Sequence, residues 1–71
     1  MKKLNKFNQL KLSIYEDKRI IIENYQELID ITEEQITVDY YTIVGTFLKI
    51  TTMDDYFMEI KGTVRQIIIN E

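Results

Sequence analysis

The chain reads as an all-β protein: a small antiparallel β-sandwich, immunoglobulin-like in size, of about six or seven short strands. Three observations predict this. Apolar residues alternate with a period of two rather than the helical 3.6. Polar clusters interrupt the alternation roughly every 8–12 residues, the spacing of strands joined by hairpins. Ile, Thr, Tyr and Phe are prominent while alanine is absent, a composition that suits strands and that helical proteins rarely show. A short β-solenoid-like stack and a small barrel are the alternative architectures.

The elements follow in order. "LKLSI" places Leu10, Leu12 and Ile14 on one face, and "YEDKR" (15–19) ends it. "RIIIEN" sets Ile20 and Ile22 on one face and Ile21 on the other, before the break "NYQE" (24–27). "LIDI" offers Ile29 and Ile31. "TEEQ" has Thr32 and, three residues on, Gln35, which is formally a helix-capping box. The β-branched, alternating "ITVDYYTIV" that follows favours a turn there over a short helix. Ile36, Val38 and Tyr40 then alternate, as do Leu48 and Ile50 in "TFLKITT". After "MDDY" (53–56) come Met58 and Ile60, and finally Ile67 and Ile69 in "RQIIINE". Glu16-Asp17 and Asp54-Asp55 suit tight turns, because Asp can bond to nearby backbone and tolerates a left-handed conformation. The expected core is Leu12, Ile14, Ile20, Ile22, Ile36, Val38, Ile43, Leu48, Ile50, Met58, Ile60, Val64 and Ile67. Residues 1–8, with Lys2, Lys3 and Lys6, read as a flexible N-terminal segment, and residues 9–71 as a single β domain.

The chain has 2 glycines, and both sit in one phrase, Ile-x-Gly-Thr-x-x-x-Ile: "IVGTFLKI" and "IKGTVRQI". A glycine within a strand pattern marks a bulge, a bend or a close backbone approach. Gly45 and Gly62 are therefore expected as structural bends of two successive hairpins, curving the sheet over its core. A phosphate-binding loop needs more closely spaced glycines and a following helix.

Composition narrows function. There is no cysteine and no histidine, so disulfides, thiolate metal sites and the commonest general base are absent. Ser13 is the only serine, and it has no histidine to activate it. The pairs Glu33-Glu34 and Asp54-Asp55 are adjacent, so on a strand they would point to opposite faces. Asp54, Asp55 and Glu59 do not have the spacing of a calcium loop. The expectation is a protein that is not an enzyme, with no catalytic residues, no cofactor and no metal. Net charge is −3, which argues against a general nucleic-acid binder. Tyr25, Tyr40, Tyr41, Tyr56 and Phe57 could form a base-stacking platform. Their neighbours are acidic (Glu23, Glu27, Asp39, Asp54, Asp55), so core and rim packing suits them better. No run approaches the roughly 18–20 apolar residues of a membrane-spanning helix. No signal-peptide core follows Met1, so a cytoplasmic protein without direct membrane insertion is expected.

Strand edges stand out instead. "RQIIINE" and "RIIIEN" carry isoleucines on both faces and no proline, the pattern of strands that pair with another chain. Ile20, Ile21, Ile22, Ile67, Ile68 and Ile69 are the candidate interaction edges, with a homodimer as the expected product. A small barrel binding a ligand or nucleic acid is the alternative function.

From residue 22 the chain reads "IENYQELIDITEEQITV". It continues with Tyr41, Ile43, Gly45, Leu48, Ile50 and Met53, then Met58, Ile60, Gly62, Val64 and Ile67 at the spacing apolar-x-Ile-x-Gly. This resembles the YabP/YqfC family of sporulation proteins of endospore-forming Firmicutes, more closely its YqfC branch. The likeness spans residues 10–69, and both glycines fall at family glycine positions. The family often has a glycine turn near residues 25–27 and a glycine before the Tyr41 strand. Here the first is absent, and Asp39-Tyr40 stands at the second. The resemblance implies a small β-sandwich made in the mother cell, acting at spore envelope or coat assembly. Family members tend to be encoded beside a membrane protein of the same process. A membrane-protein partner and a peripheral position at the forespore envelope are therefore implied, with no catalytic residues.

Overall fold

The structure, a computed structural model, describes residues 10–70. The expected N-terminal segment, residues 1–8, lies outside the described residues. Among the described residues six strands form in chain order: β1 (Lys11–Ile14), β2 (Ile20–Glu23), β3 (Leu28–Ile31), β4 (Gln35–Val38), β5 (Tyr41–Met53) and β6 (Phe57–Ile69). They make one sheet in the order β1-β2-β6-β5-β4-β3, and every pairing is antiparallel. The protein is thus all-β, as the alternation predicts. Antiparallel hairpins exclude a solenoid, whose coils stack in parallel. The terminal strands β1 and β3 are not paired with each other, so the sheet is open rather than a closed barrel.

Four strands are short, at 4 residues each. β5 and β6 run for 13 residues each and carry both glycines in mid-strand. A single flat sheet buries neither face deeply, yet Ile20, Ile22, Ile36, Val38, Ile43, Met58 and Ile60 are all completely buried in one cluster. With no helix among the described residues to supply a second layer, the sheet must curl so that its two wings face each other. The curl falls on irregularities of the β5–β6 ladder, between Val44 and Gly45, between Thr46 and Lys49, and between Ile50 and Thr52. Such bulges bend a strand and increase its twist.

The glycines explain why the bend is possible there. The second bulge sets Phe47 and Leu48 of β5 against Gly62 of β6. A Cβ on Gly62 would lie 2.7 Å from the Phe47 carbonyl oxygen and 2.9 Å from the Leu48 Cα, and Gly62 has φ of +142°. A Cβ on Gly45 would lie 2.0 Å from the Thr63 carbonyl oxygen. At both glycines the backbone of the paired strand approaches too closely to admit a side chain. The two phrases therefore do not bend successive hairpins. They face each other across the two strands of one hairpin.

Turn chemistry follows the sequence except at one place. Thr32 accepts from the Glu34 and Gln35 N–H groups at 3.1 and 2.9 Å, so "TEEQ" is a turn. Asp54 caps the Tyr56 N–H at 2.9 Å. In the β1–β2 turn Lys18 takes the left-handed position, with φ of 71°. There the hydrogen-bonded Arg19 side chain holds the Asp17 carboxyl below the usual carboxylate range. The unexpected break is Asp39-Tyr40, which turns β4 into β5 with Asp39 at φ 52°. The Asp39 carboxylate accepts from the N–H groups of Gln26 and Glu27 at 2.9 and 3.0 Å. It thereby anchors the connection that carries the chain from β2 to the far edge. Tyr25, on that connection, donates its hydroxyl to the Asp54 carbonyl at 2.7 Å.

The core departs from expectation at its rim. Ile14, expected inside, is 63% exposed, because among the described residues β1 ends the sheet and no strand pairs with its outer side. Leu12, Ile50, Val64 and Ile67 are half-buried against the cluster, and Leu10 joins it.

Candidate interaction surface

The isoleucine-rich segments meet different fates. Ile20, Ile21 and Ile22 do not form an edge. β2 is an interior strand between β1 and β6, and all three residues are buried. The reason is pairing: Ile20 lies opposite Ile60 and Ile22 opposite Met58, while Ile14 and Leu12 flank them on the other side.

Ile67, Ile68 and Ile69 lie on an open stretch. β2 covers β6 only along Phe57, Met58, Glu59 and Ile60. Beyond Ile60, among the described residues, β6 is paired on one side only, by β5. The phase of the ladder shows which groups point outward. The Asn70 N–H donates to the Tyr40 carbonyl at 2.6 Å, and the Gly45 N–H turns the other way, to the Glu34 carbonyl at 3.0 Å. In an antiparallel ladder the direction alternates. Ile68 and Gln66 therefore bond inward to Thr42 and Val44, and Ile67 and Ile69 present N–H and C=O groups to the open side. Ile69 is 59% exposed and Ile68 is 37% exposed. On the convex face beside Ile68, Asn70 Nδ2 donates to the Thr42 hydroxyl at 2.7 Å, and Thr42 in turn bonds to Thr37 at 3.2 Å.

Residue-level reading of the sequence missed a second exposed feature. Phe47 is 78% exposed and sits at φ 54° in the second bulge. It lines a shallow depression with Glu33, Leu48, Lys49, Lys61 and Gly62. Lys49 and Lys61 lie directly opposite each other, an arrangement of like charges that costs stability. Only an aromatic residue next to "GT" hinted at this. Its exposure depends on the bulge, which alternation does not reveal.

The other candidate groups do not converge. Asp54 is engaged in its turn. Among the described residues no group of three or more His, Cys, Asp or Glu side chains is placed to hold an ion. Tyr25, Tyr40 and Tyr41 pack half-buried against the core, the latter two with ring centroids 5.1 Å apart, while Tyr15 lies under the Arg19 guanidinium at 4.8 Å. Tyr56, in the β5–β6 turn, is exposed. No helix among the described residues is long and apolar enough to cross a membrane. Comparison with protein families, with curated proteins and with solved structures finds no match to this chain.

Proposed function

We propose that this chain is a non-enzymatic β module that works by protein–protein contact, self-association included. Its setting is the one its likeness to YabP/YqfC proteins implies. That setting is sporulation, in the mother-cell cytoplasm, peripheral to the developing spore envelope through a membrane-protein partner and without insertion into the bilayer. The observation that supports contact as the mode of action is the one-sided pairing of β6 beyond Ile60, ending in Ile67, Ile68 and Ile69. Natural sheets blunt such edges with proline or charge. This chain has no proline, and although Lys61 and Arg65 lie on the open stretch, it ends in three consecutive β-branched residues. Association would also add burial to a chain of 71 residues without cysteine, a size at which a core alone is marginal. Sedimentation over a wide concentration range tests the mode of action. A mass rising toward that of a dimer supports it, and a single-chain mass throughout removes self-association. Expression timing tests the setting: steady production in vegetative cells would remove sporulation from the proposal.

One observation favours a second reading, a small β module that binds an anionic ligand or a single-stranded oligonucleotide. Phe47 offers an exposed ring beside Lys49 and Lys61, and stacking on an aromatic residue flanked by cations is how such strands are held. Oligonucleotide retained at low salt, released by rising salt and lost in Phe47→Ala would favour it.

A further inference from the structure

We infer that the open stretch of β6 pairs antiparallel with the same stretch of a second copy, across a two-fold axis through Ile68. The inference rests on the contact reading above and specifies its partner and register. Ladder phase comes first. Ile67 and Ile69 carry the outward N–H and C=O groups, so hydrogen-bonded pairs across the new interface must join odd-numbered residues. This leaves only registers that differ by steps of two residues.

Side chains select among them. With Ile68 on the axis, Ile67 of each copy faces Ile69 of the other, Ile68 faces Ile68, and Gln66 faces Asn70. Apolar residues then meet apolar ones and amides meet amides, the pairing that stabilises a ladder. Moving the axis to Ile67 sets Ile69 against Arg65 and Ile68 against Gln66. Moving it to Ile69 sets Ile68 against Asn70. Sliding further toward Val64 brings the second copy against the β1–β2 turn, because Ile14, Tyr15 and Lys18 line a pocket with Thr63 and Val64. The favoured register also completes the rim of the core. Ile69, exposed on the core face, comes beside Ile67, which is already half-buried. The result joins two sheets edge to edge, isologously, as a two-fold requires.

The chain has no cysteine, so a single introduced thiol reports the register. Ile68 opposite Ile68 is a non-hydrogen-bonded pair, with Cα atoms about 4.5 Å apart, inside the roughly 4.4–6.8 Å that a disulfide spans. Under mild oxidation, Ile68→Cys is expected to form a covalent dimer on a non-reducing gel, and Gln66→Cys to remain single. Ile68→Lys, on the convex face, should keep the β circular dichroism spectrum and weaken the dimer about 100-fold. Wild-type sedimentation separates the two levels of failure. A dimer whose Ile68→Cys form does not cross-link, or whose Ile68→Lys form dissociates no more readily, overturns this register and leaves self-association standing. A wild type that stays monomeric at every concentration overturns both.

Discussion

Replacing Gly45 by alanine is the smallest change that tests how the central hairpin folds over. The added methyl group would sit 2.0 Å from the Thr63 carbonyl oxygen, 3.0 Å from its carbon and 3.1 Å from the Val64 Cα. All three are backbone atoms of the paired strand, so no side-chain rotation relieves the clash. The strands must separate by more than an ångström where the bend requires them closest. Overpacking a tight core typically costs about 1–3 kcal/mol, and more when backbone must move. At Gly62 a methyl group meets the Phe47 carbonyl oxygen at 2.7 Å and adopts φ of +142°, so strain of about 1–3 kcal/mol adds to the steric cost. A chain of 71 residues is stabilised by roughly 4–10 kcal/mol in total. Gly45→Ala is therefore expected to remove a large fraction of the stability, and Gly62→Val to unfold the domain. Urea titration followed by tyrosine fluorescence and far-ultraviolet circular dichroism measures both, with Thr46→Ala as a control on the same strand. A Gly45→Ala protein within about 0.5 kcal/mol of wild type, the range of an ordinary surface change, would refute the close-approach argument.

Three further outcomes are expected. Asp39→Gly keeps a residue suited to φ 52° but removes the acceptor of the Gln26 and Glu27 N–H groups. It should cost about 1–3 kcal/mol in urea titration, and Asp39→Asn should cost less. Lys18→Gly relieves a left-handed residue in the β1–β2 turn and should raise stability by about 0.5–1 kcal/mol, read from the thermal midpoint. Burial, with Asp54 and Asp55 nearby, raises the Tyr25 pKa from its ordinary 10.0. The folded state thus holds that proton more tightly than the unfolded state does. The stabilisation is complete below the unfolded pKa and is lost as pH rises through the folded one. Stability should fall above about pH 10, and less steeply in Tyr25→Phe, when melts are compared across alkaline pH.

Local patterning was legible wherever a residue's environment follows from its neighbours in sequence. Alternation marked the concave face, and Ile20, Ile22, Ile36, Val38, Ile43, Leu48, Met58 and Ile60 are buried as it predicts. Turn chemistry marked Thr32 and Asp54, because their side chains bond to backbone two or three residues away. Asp39 was misread as part of a strand, since its carboxylate serves Gln26 and Glu27, which are distant in sequence. The glycine phrases were recognised as special, but their partners were not. Gly45 and Gly62 constrain each other's strands only once β5 and β6 are paired.

By itself, then, the sequence determined the strand class, most of the inward-facing residues, most of the turns and the two positions that cannot carry a side chain. Tertiary structure alone decided which isoleucine-rich segment is left open on one side. "RIIIEN" and "RQIIINE" are nearly the same phrase in composition and period, yet Ile20, Ile21 and Ile22 are enclosed by β1 and β6, while Ile67, Ile68 and Ile69 lie on the open side. The physical reason is that backbone hydrogen bonding is chemically identical at every residue. Which strand satisfies it is settled by the competition of all strands for the few arrangements that bury the isoleucines together, and no local window contains that competition.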